Sequence, residues 1–221
     1  MNEKLKDLFS TCLEKMNLSE IASDLTIDSF IIHLEELKRW NRKINLTSLE
    51  EDIDIIIKHF CDSLVLFPFM SPHIDVLDIG SGSGFPGLPL KVSEPTIKMT
   101  MIDSRRKRVN FLKHVIRLLT LKDIEVINCR AETKSEGFPL SKKYDLLISR
   151  AALPIHAFSE LSARFLSEGG RAISMGVIRQ TESFLNEVER HDCLTFLEVH
   201  DYTLPIFQLK RRLFILQRNS F

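Results

Sequence analysis

Hydrophobic positions along the chain follow two different periods, and the change falls near residue 70. Before it, apolar residues recur at helical spacing. Phe30, Ile31, Leu34, Leu37 and Trp40 form one stripe, and Thr26-Ile27-Asp28-Ser29 offers caps for it. Ile53, Ile56, Ile57, Phe60 and Leu64 predict a second helix over 51–66, bounded by Pro68 and Pro72. From residue 75 onward, short β-rich runs alternate with amphipathic stretches. The runs predict strands over 75–79, 98–102, 124–127, 144–148 and 171–175, with a closing pair over 196–204 and 212–217. Helices are expected over 86–92, 106–119, 155–166 and 181–190. In the second of these, Val109, Leu112, Val115, Ile116 and Leu119 make the apolar stripe. Strands that alternate with helices need crossover connections, which give a mainly parallel sheet. The short link between the last two strands predicts an antiparallel member at the end. The expected class is α/β, with residues 1–70 as an N-terminal helical extension and 71–221 as the ligand-binding domain.

Composition narrows the class without naming a function. The chain has 221 residues, 44% hydrophobic and 27% charged, which fits a globular protein and excludes disordered or collagen-like chains. No apolar run approaches the ~20 residues of a bilayer span, and MNEKLKDLFS lacks the apolar core of a signal peptide. A cytoplasmic protein without membrane contact is expected. Cys12, Cys61, Cys129 and Cys193 are far apart, so neither a metal site nor a redox pair is indicated. Thirty basic residues balance thirty acidic ones. Bulk charge therefore gives no grip on nucleic acid.

Asp78-Ile79-Gly80-Ser81-Gly82-Ser83-Gly84 leaves the first predicted strand where open α/β sheets bind ligands. Two readings compete there. Gly82 to Gly87 fits G-x-G-x-x-G, whose logic is a pyrophosphate on a helix N-terminus and whose product would be an NAD-dependent oxidoreductase. Asp78 would oppose such phosphates. A carboxylate beside the loop instead suits S-adenosylmethionine, which carries an ammonium and a sulfonium and no phosphate. Asp103 ends the second strand at the interval expected of a ribose-binding acid, which fits both ligands.

The stretch Asp78-Ile79-Gly80-Ser81-Gly82-Ser83-Gly84-Phe85-Pro86-Gly87-Leu88-Pro89-Leu90 resembles the bacterial 16S ribosomal RNA guanine-N7 methyltransferase family, once called glucose-inhibited division protein B. Trp40-Asn41, Asn45-Leu46-Thr47-Ser48, His59, Asp62-Ser63-Leu64, Asp103-Ser104, Lys107-Arg108, Phe111-Leu112, Arg130-Ala131-Glu132 and Ser149-Arg150-Ala151 agree in order and spacing. The resemblance implies a class I S-adenosylmethionine-dependent methyltransferase fold: a Rossmann-like, seven-stranded, mainly parallel sheet with an antiparallel last strand. It implies cofactor contacts from Asp78, Gly80, Gly82, Gly84, Phe85, Asp103, Ala131, Glu132 and Arg150. It also implies that Asn45, His59, Arg130 and Arg150 position the substrate, with no metal. The implied partner is 16S rRNA or an assembling small ribosomal subunit, engaged by a monomer.

One departure is visible. The family's lysine-glycine after the fifth strand is replaced by Ile173-Ser174-Met175-Gly176-Val177, and Arg179 is the nearest cation. That absence keeps a non-catalytic, ribosome-associated S-adenosylmethionine-binding module open. Each candidate also has a plain structural alternative. His59 suits a hydrogen-bonded core position, Asn45 a turn cap, and Arg150 a buried ion pair. The basic runs Lys38-Arg39 with Arg42-Lys43, Arg105 to Arg108, and Lys210 to Arg212 suit solvated faces. The first two are expected to hold RNA backbone.

Overall fold

The computed structural model describes residues 2–130, 142–150, 153–176 and 191–220. Helices α1 (Asn2–Lys15) and α2 (Asp24–Ile44) open the chain. The predicted 51–66 helix is present but is not α-helical throughout. It consists of α3 (Asp52–Ile55), a π-helical segment (Ile56–Cys61) and α4 (Asp62–Leu64). Then follow β1 (Asp75–Ile79), α5 (Gly87–Ser93), β2 (Lys98–Asp103), α6 (Arg106–Leu118) and β3 (Ile124–Asn128). The chain continues through β4 (Tyr144–Arg150), α7 (Ile155–Phe165), β5 (Leu166–Gly176), β6 (Leu194–Thr203) and β7 (Lys210–Arg218).

The strands form one sheet in the order β3-β2-β1-β4-β5-β7-β6. The first five pair in parallel, and β7 runs antiparallel to both its neighbours. The antiparallel strand is thus last in sequence but interior in the sheet. Alternation along each strand sorts the side chains between two cores. Val76, Met99, Met101, Ile148 and Ile173 pack with the N-terminal helices, α5 and α6. Leu77, Ile79, Ile102, Leu147 and Phe214 pack with Phe158, Leu161 and Phe165 of α7. The N-terminal helices are joined to the first core by Phe9, Phe30 and Phe60, whose ring centroids lie 5.2–5.5 Å apart.

Local chemistry corrects several boundaries. The α2 cap is Ser23, whose side chain accepts the Thr26 N–H at 3.2 Å, and not the 26–29 run. Helix α5 starts one residue beyond Pro86. Strand β5 begins at Leu166, passing through Gly169 at φ 73° before it joins β4 in continuous register. Among the described residues no helix is long and apolar enough to cross a membrane, and no cluster of His, Cys, Asp or Glu could hold a metal ion. Cys12 and Cys61 are buried thiols. The predicted helix over 181–190 lies outside the described residues.

Candidate active site

The ends of β2, β1 and β4 lie side by side in the sheet, and each delivers a candidate residue at its carboxyl edge. The turn after β1 is held from β2, since Gly80 and Ser81 both donate their N–H to the Ile102 carbonyl at 2.9 and 3.1 Å. Asp103, the last residue of β2, accepts the Gly82 N–H at 3.0 Å and the Arg105 N–H at 2.7 Å. Arg108 approaches the same carboxylate at 3.6 Å. The glycines differ in purpose. A Cβ on Gly84 would lie 2.5 Å from Leu88, so packing forbids it. A Cβ on Gly82, at φ 57°, would lie 3.8 Å from Arg108 Nη1 and from the Gly80 carbonyl, an ordinary contact distance, so there the left-handed backbone and not packing asks for glycine.

Asp78 sits beneath the loop, fully buried, and accepts the Gly87 N–H at 3.2 Å. Its other carboxylate oxygen has no hydrogen-bond partner among the described residues. Burial raises its pKa to about 7, against the lowering effect of Ser81 and the Gly87 N–H. This arrangement disfavours the G-x-G-x-x-G reading. The N-terminus of the seven-residue α5 is occupied by a carboxylate, where a pyrophosphate would need free N–H groups. The donor set instead fits a phosphate-free nucleoside. Asp103, whose two oxygens accept from Gly82 and Arg105, has the acceptor chemistry that a ribose diol requires.

Phe85, which ends the loop, is stacked by two histidines. His33 of α2 stacks on it at 4.7 Å, and His59 of the π-helical segment stacks at 4.7 Å. His33 is buried and bonds through Nε2 to the Ser83 carbonyl at 3.0 Å. Because a carbonyl only accepts, Nε2 must be the protonated nitrogen. Burial holds the His33 pKa down at about 4. The second helix of the chain therefore fixes the glycine loop.

Arg150, the last residue of β4, converges on His59 from the other side. Its guanidinium donates to the Lys58 carbonyl at 3.1 Å and to His59 Nδ1 at 3.2 Å, and pairs with Asp62 at 3.4 Å. It also lies 5.5 Å from the Phe85 ring centroid. In the Arg150 bond His59 Nδ1 accepts, the Lys58 carbonyl lies 3.2 Å from the same nitrogen, and Nε2 shares a hydrogen bond with Thr47 Oγ1 at 2.9 Å. Burial first, then the neighbouring Arg150 charge, lower the His59 pKa to about 3. His59 is thus neutral, with both nitrogens engaged. Tyr202 of β6 donates its hydroxyl to the remaining oxygen of Asp62 at 2.7 Å. Burial and Asp62 raise the Tyr202 pKa, so it stays protonated.

Beside this network opens a cleft of about 720 Å³, lined by Thr47, His59, Asp62, Arg150, Tyr202 and Arg211, among others. Ser174, Met175 and Gly176, the run without the family lysine, form part of its wall. The cleft gathers His59 and Arg150 but not Asn45. Asn45 is exposed, caps α2 in the left-handed conformation (φ 48°) and lines a separate groove with Lys38, Arg42 and Arg108. Arg130 is exposed two residues beyond β3. Ala131, Glu132 and Arg179 lie outside the described residues.

The sequence reading missed His33, Thr47 as a partner of His59, and the Asp62–Tyr202 bond. His33 was detectable as a lone polar residue within the Phe30–Leu34 apolar stripe, where a buried polar group needs a reason. Nothing in the sequence pairs Tyr202 with Asp62, which lie 140 residues apart.

Known proteins share the fold and the family. Solved structures of similar fold include an rRNA methylase from Streptococcus thermophilus (TM-score 0.54, 17% identity, covering 72% of this chain and 94% of that one). TrmN from Thermus thermophilus is another (TM-score 0.55, 16% identity, 72% and 48%). Proteins named ribosomal RNA small subunit methyltransferase G match more closely. The one from Acetivibrio thermocellus is 35% identical over 88% of this chain and 81% of its own length. That from Geobacter sp. strain M21 is 34% identical over 99% and 100%. The model of the family described as GidB, rRNA small subunit methyltransferase G, matches residues 26–215, and the chain belongs to that family.

Proposed function

We propose that the protein transfers a methyl group from S-adenosylmethionine to N7 of a guanine in 16S ribosomal RNA. The observation that carries this reading is the continuity of three parts: a glycine loop held by Asp103, the Phe85 stack, and the Arg150 cleft. Asp103, Gly80 and Gly82 would hold the nucleoside, and Asp78 would stiffen the loop from below. S-adenosylmethionine supplies, when bound, a methyl carbon on a positively charged sulfur. Guanine N7 has a lone pair and no proton, so the acceptor needs no general base. That agrees with His59, which is neutral and has both nitrogens engaged. The work left to the protein is alignment.

Arg150 would face the acceptor base, oriented by Asp62, Lys58 and His59. Arg211, which lines the same cleft as Ser174 to Gly176, would supply the positive charge that the missing lysine gives elsewhere in the family. Lys38, Arg42 and Arg108 would hold RNA phosphates in the adjacent groove. Titration calorimetry with S-adenosylmethionine, S-adenosylhomocysteine and NAD tests the cofactor. Heat from the first two alone is expected; heat from NAD alone would revive the oxidoreductase reading. Cofactor binding without methyl transfer to rRNA from a strain lacking the gene would favour the non-catalytic module.

A further inference from the structure

The connection between β6 and β7 is tighter than its length requires. Leu204 N–H bonds to the Leu209 carbonyl at 2.9 Å, which closes a loop of residues 205–208. Inside it, Phe207 N–H bonds back to the Pro205 carbonyl at 2.7 Å around Ile206 at φ 63°. A two-residue return at positive φ is the rare, strained form of γ-turn. A β-branched residue is among the least suited to it. Gln208 follows at φ 52°. Hydrophobic burial does not explain the strain, because Ile206 is 40% exposed and Phe207 36% exposed. Backbone strain that burial does not repay points to a function of the displayed side chains.

The position of the tip indicates which function. Lys58 holds its ammonium 5.2 Å from the Phe207 ring centroid, and the Lys58 carbonyl binds Arg150. Lys58 lines the cleft, as do Tyr202 and Arg211 on the two strands that carry the tip. Lys210 and Arg211 follow the tip directly. An exposed aromatic ring beside Lys58, which also pairs with Asp54, on a hairpin whose strands line a cleft that would take one base, matches the pattern that binds single-stranded nucleic acid. There, cations follow the phosphates and aromatic faces stack on bases.

We propose that the 205–208 tip is a stacking platform for an unpaired RNA base next to the target guanine, with Phe207 as its face. This rests on the methyltransferase reading above and adds to it a contact with a second nucleotide.

Two measurements test it. In the first, Phe207→Trp fluorescence is followed, relative to the parent protein, as a short oligoadenylate RNA is added. Quenching is expected, and an abasic oligomer of equal length should not produce it. In the second, Phe207→Leu keeps apolar bulk but removes the π face. Its KM for 16S rRNA in methyl transfer should rise about tenfold, while the affinity for S-adenosylmethionine stays unchanged. An unchanged KM, or equal quenching by the abasic oligomer, would overturn the proposal. So would a defect confined to assembled particles, which would mean a protein contact. If the parent protein methylates no rRNA yet the Trp variant responds only to the base-bearing oligomer, the activity reading fails and the stacking surface stands.

Discussion

Asp62→Asn isolates the network that orients Arg150. The substitution keeps the shape of the side chain and an oxygen for the Tyr202 hydroxyl, which now donates at 2.7 Å. It removes the charge opposite the Arg150 guanidinium at 3.4 Å. At an effective dielectric near 20, a full charge pair at that spacing is worth at most about 5 kcal/mol. Desolvation offsets much of this, and breaking buried pairs costs about 3–5 kcal/mol in practice. Arg150 is 18% exposed and keeps the Lys58 carbonyl and His59 Nδ1 as acceptors. The expected loss is therefore about 1.5–3 kcal/mol. For a chain of this size that lowers Tm by roughly 4–10 °C. In methyl transfer kcat should fall at least about tenfold with the affinity for S-adenosylmethionine unchanged, since alignment and not cofactor binding is disturbed. Differential scanning fluorimetry and single-turnover kinetics check both parts. A Tm and a kcat indistinguishable from the parent would refute the claim that Asp62 orients Arg150.

Gly82→Ala should fold, at a cost of about 1 kcal/mol for its positive φ, yet lose S-adenosylmethionine binding. Gly84→Ala should destabilise by about 2–4 kcal/mol through its clash with Leu88, visible in urea unfolding. The pH dependence of stability should carry the mark of His33. Its folded pKa, about 4, lies below the unfolded value of 6.5, so its neutral form stabilises fully above pH 6.5. That contribution is lost as pH falls toward 4, at about 1.4 kcal/mol per pH unit. Asp78, raised from 3.8 to about 7, works in the opposite direction: its contribution is full below 3.8 and fades as pH rises through 7. In His33→Gln the Asp78 effect persists, so the stability gap from the parent should narrow as pH drops from 6.5 to 4; a constant gap in urea unfolding would contradict the buried neutral histidine. Replacing exposed Arg105, Arg106 and Lys107 with alanine, and leaving Arg108 against Asp103, should weaken rRNA binding and flatten its salt dependence. An unchanged salt slope in filter binding would remove that helix start from the RNA face.

Much of the fold was legible because its signals are local. Short β-rich runs located the strands, and the spacing of Val109, Leu112 and Val115 located α6. The loop from Gly80 to Gly84 and the acid at Asp103 were equally readable, since strand end, turn and acid lie close in sequence. What escaped depends on contacts across the chain. The π-helical turn around His59 has no local sequence signature, and such turns often mark functional sites. The position of β7 inside the sheet depends on its pairing with both β5 and β6, which the buried run Leu213 to Leu216 alone does not specify. Asn45 shows the converse. Its motif was readable, but the structure places it in the groove with Arg108, next to the Thr47–Leu49 wall that this groove shares with the His59 cleft. The Phe85 stack needed three segments, around residues 33, 59 and 85, to be seen together.

The most direct test is chemical identification of the product. Purified protein is incubated with methyl-labelled S-adenosylmethionine and 16S rRNA from a strain lacking the gene, and the RNA is digested to nucleosides. Label in 7-methylguanosine, abolished by Arg150→Ala, is the predicted result. Label in any other nucleoside, or none with cofactor fully bound, would contradict it.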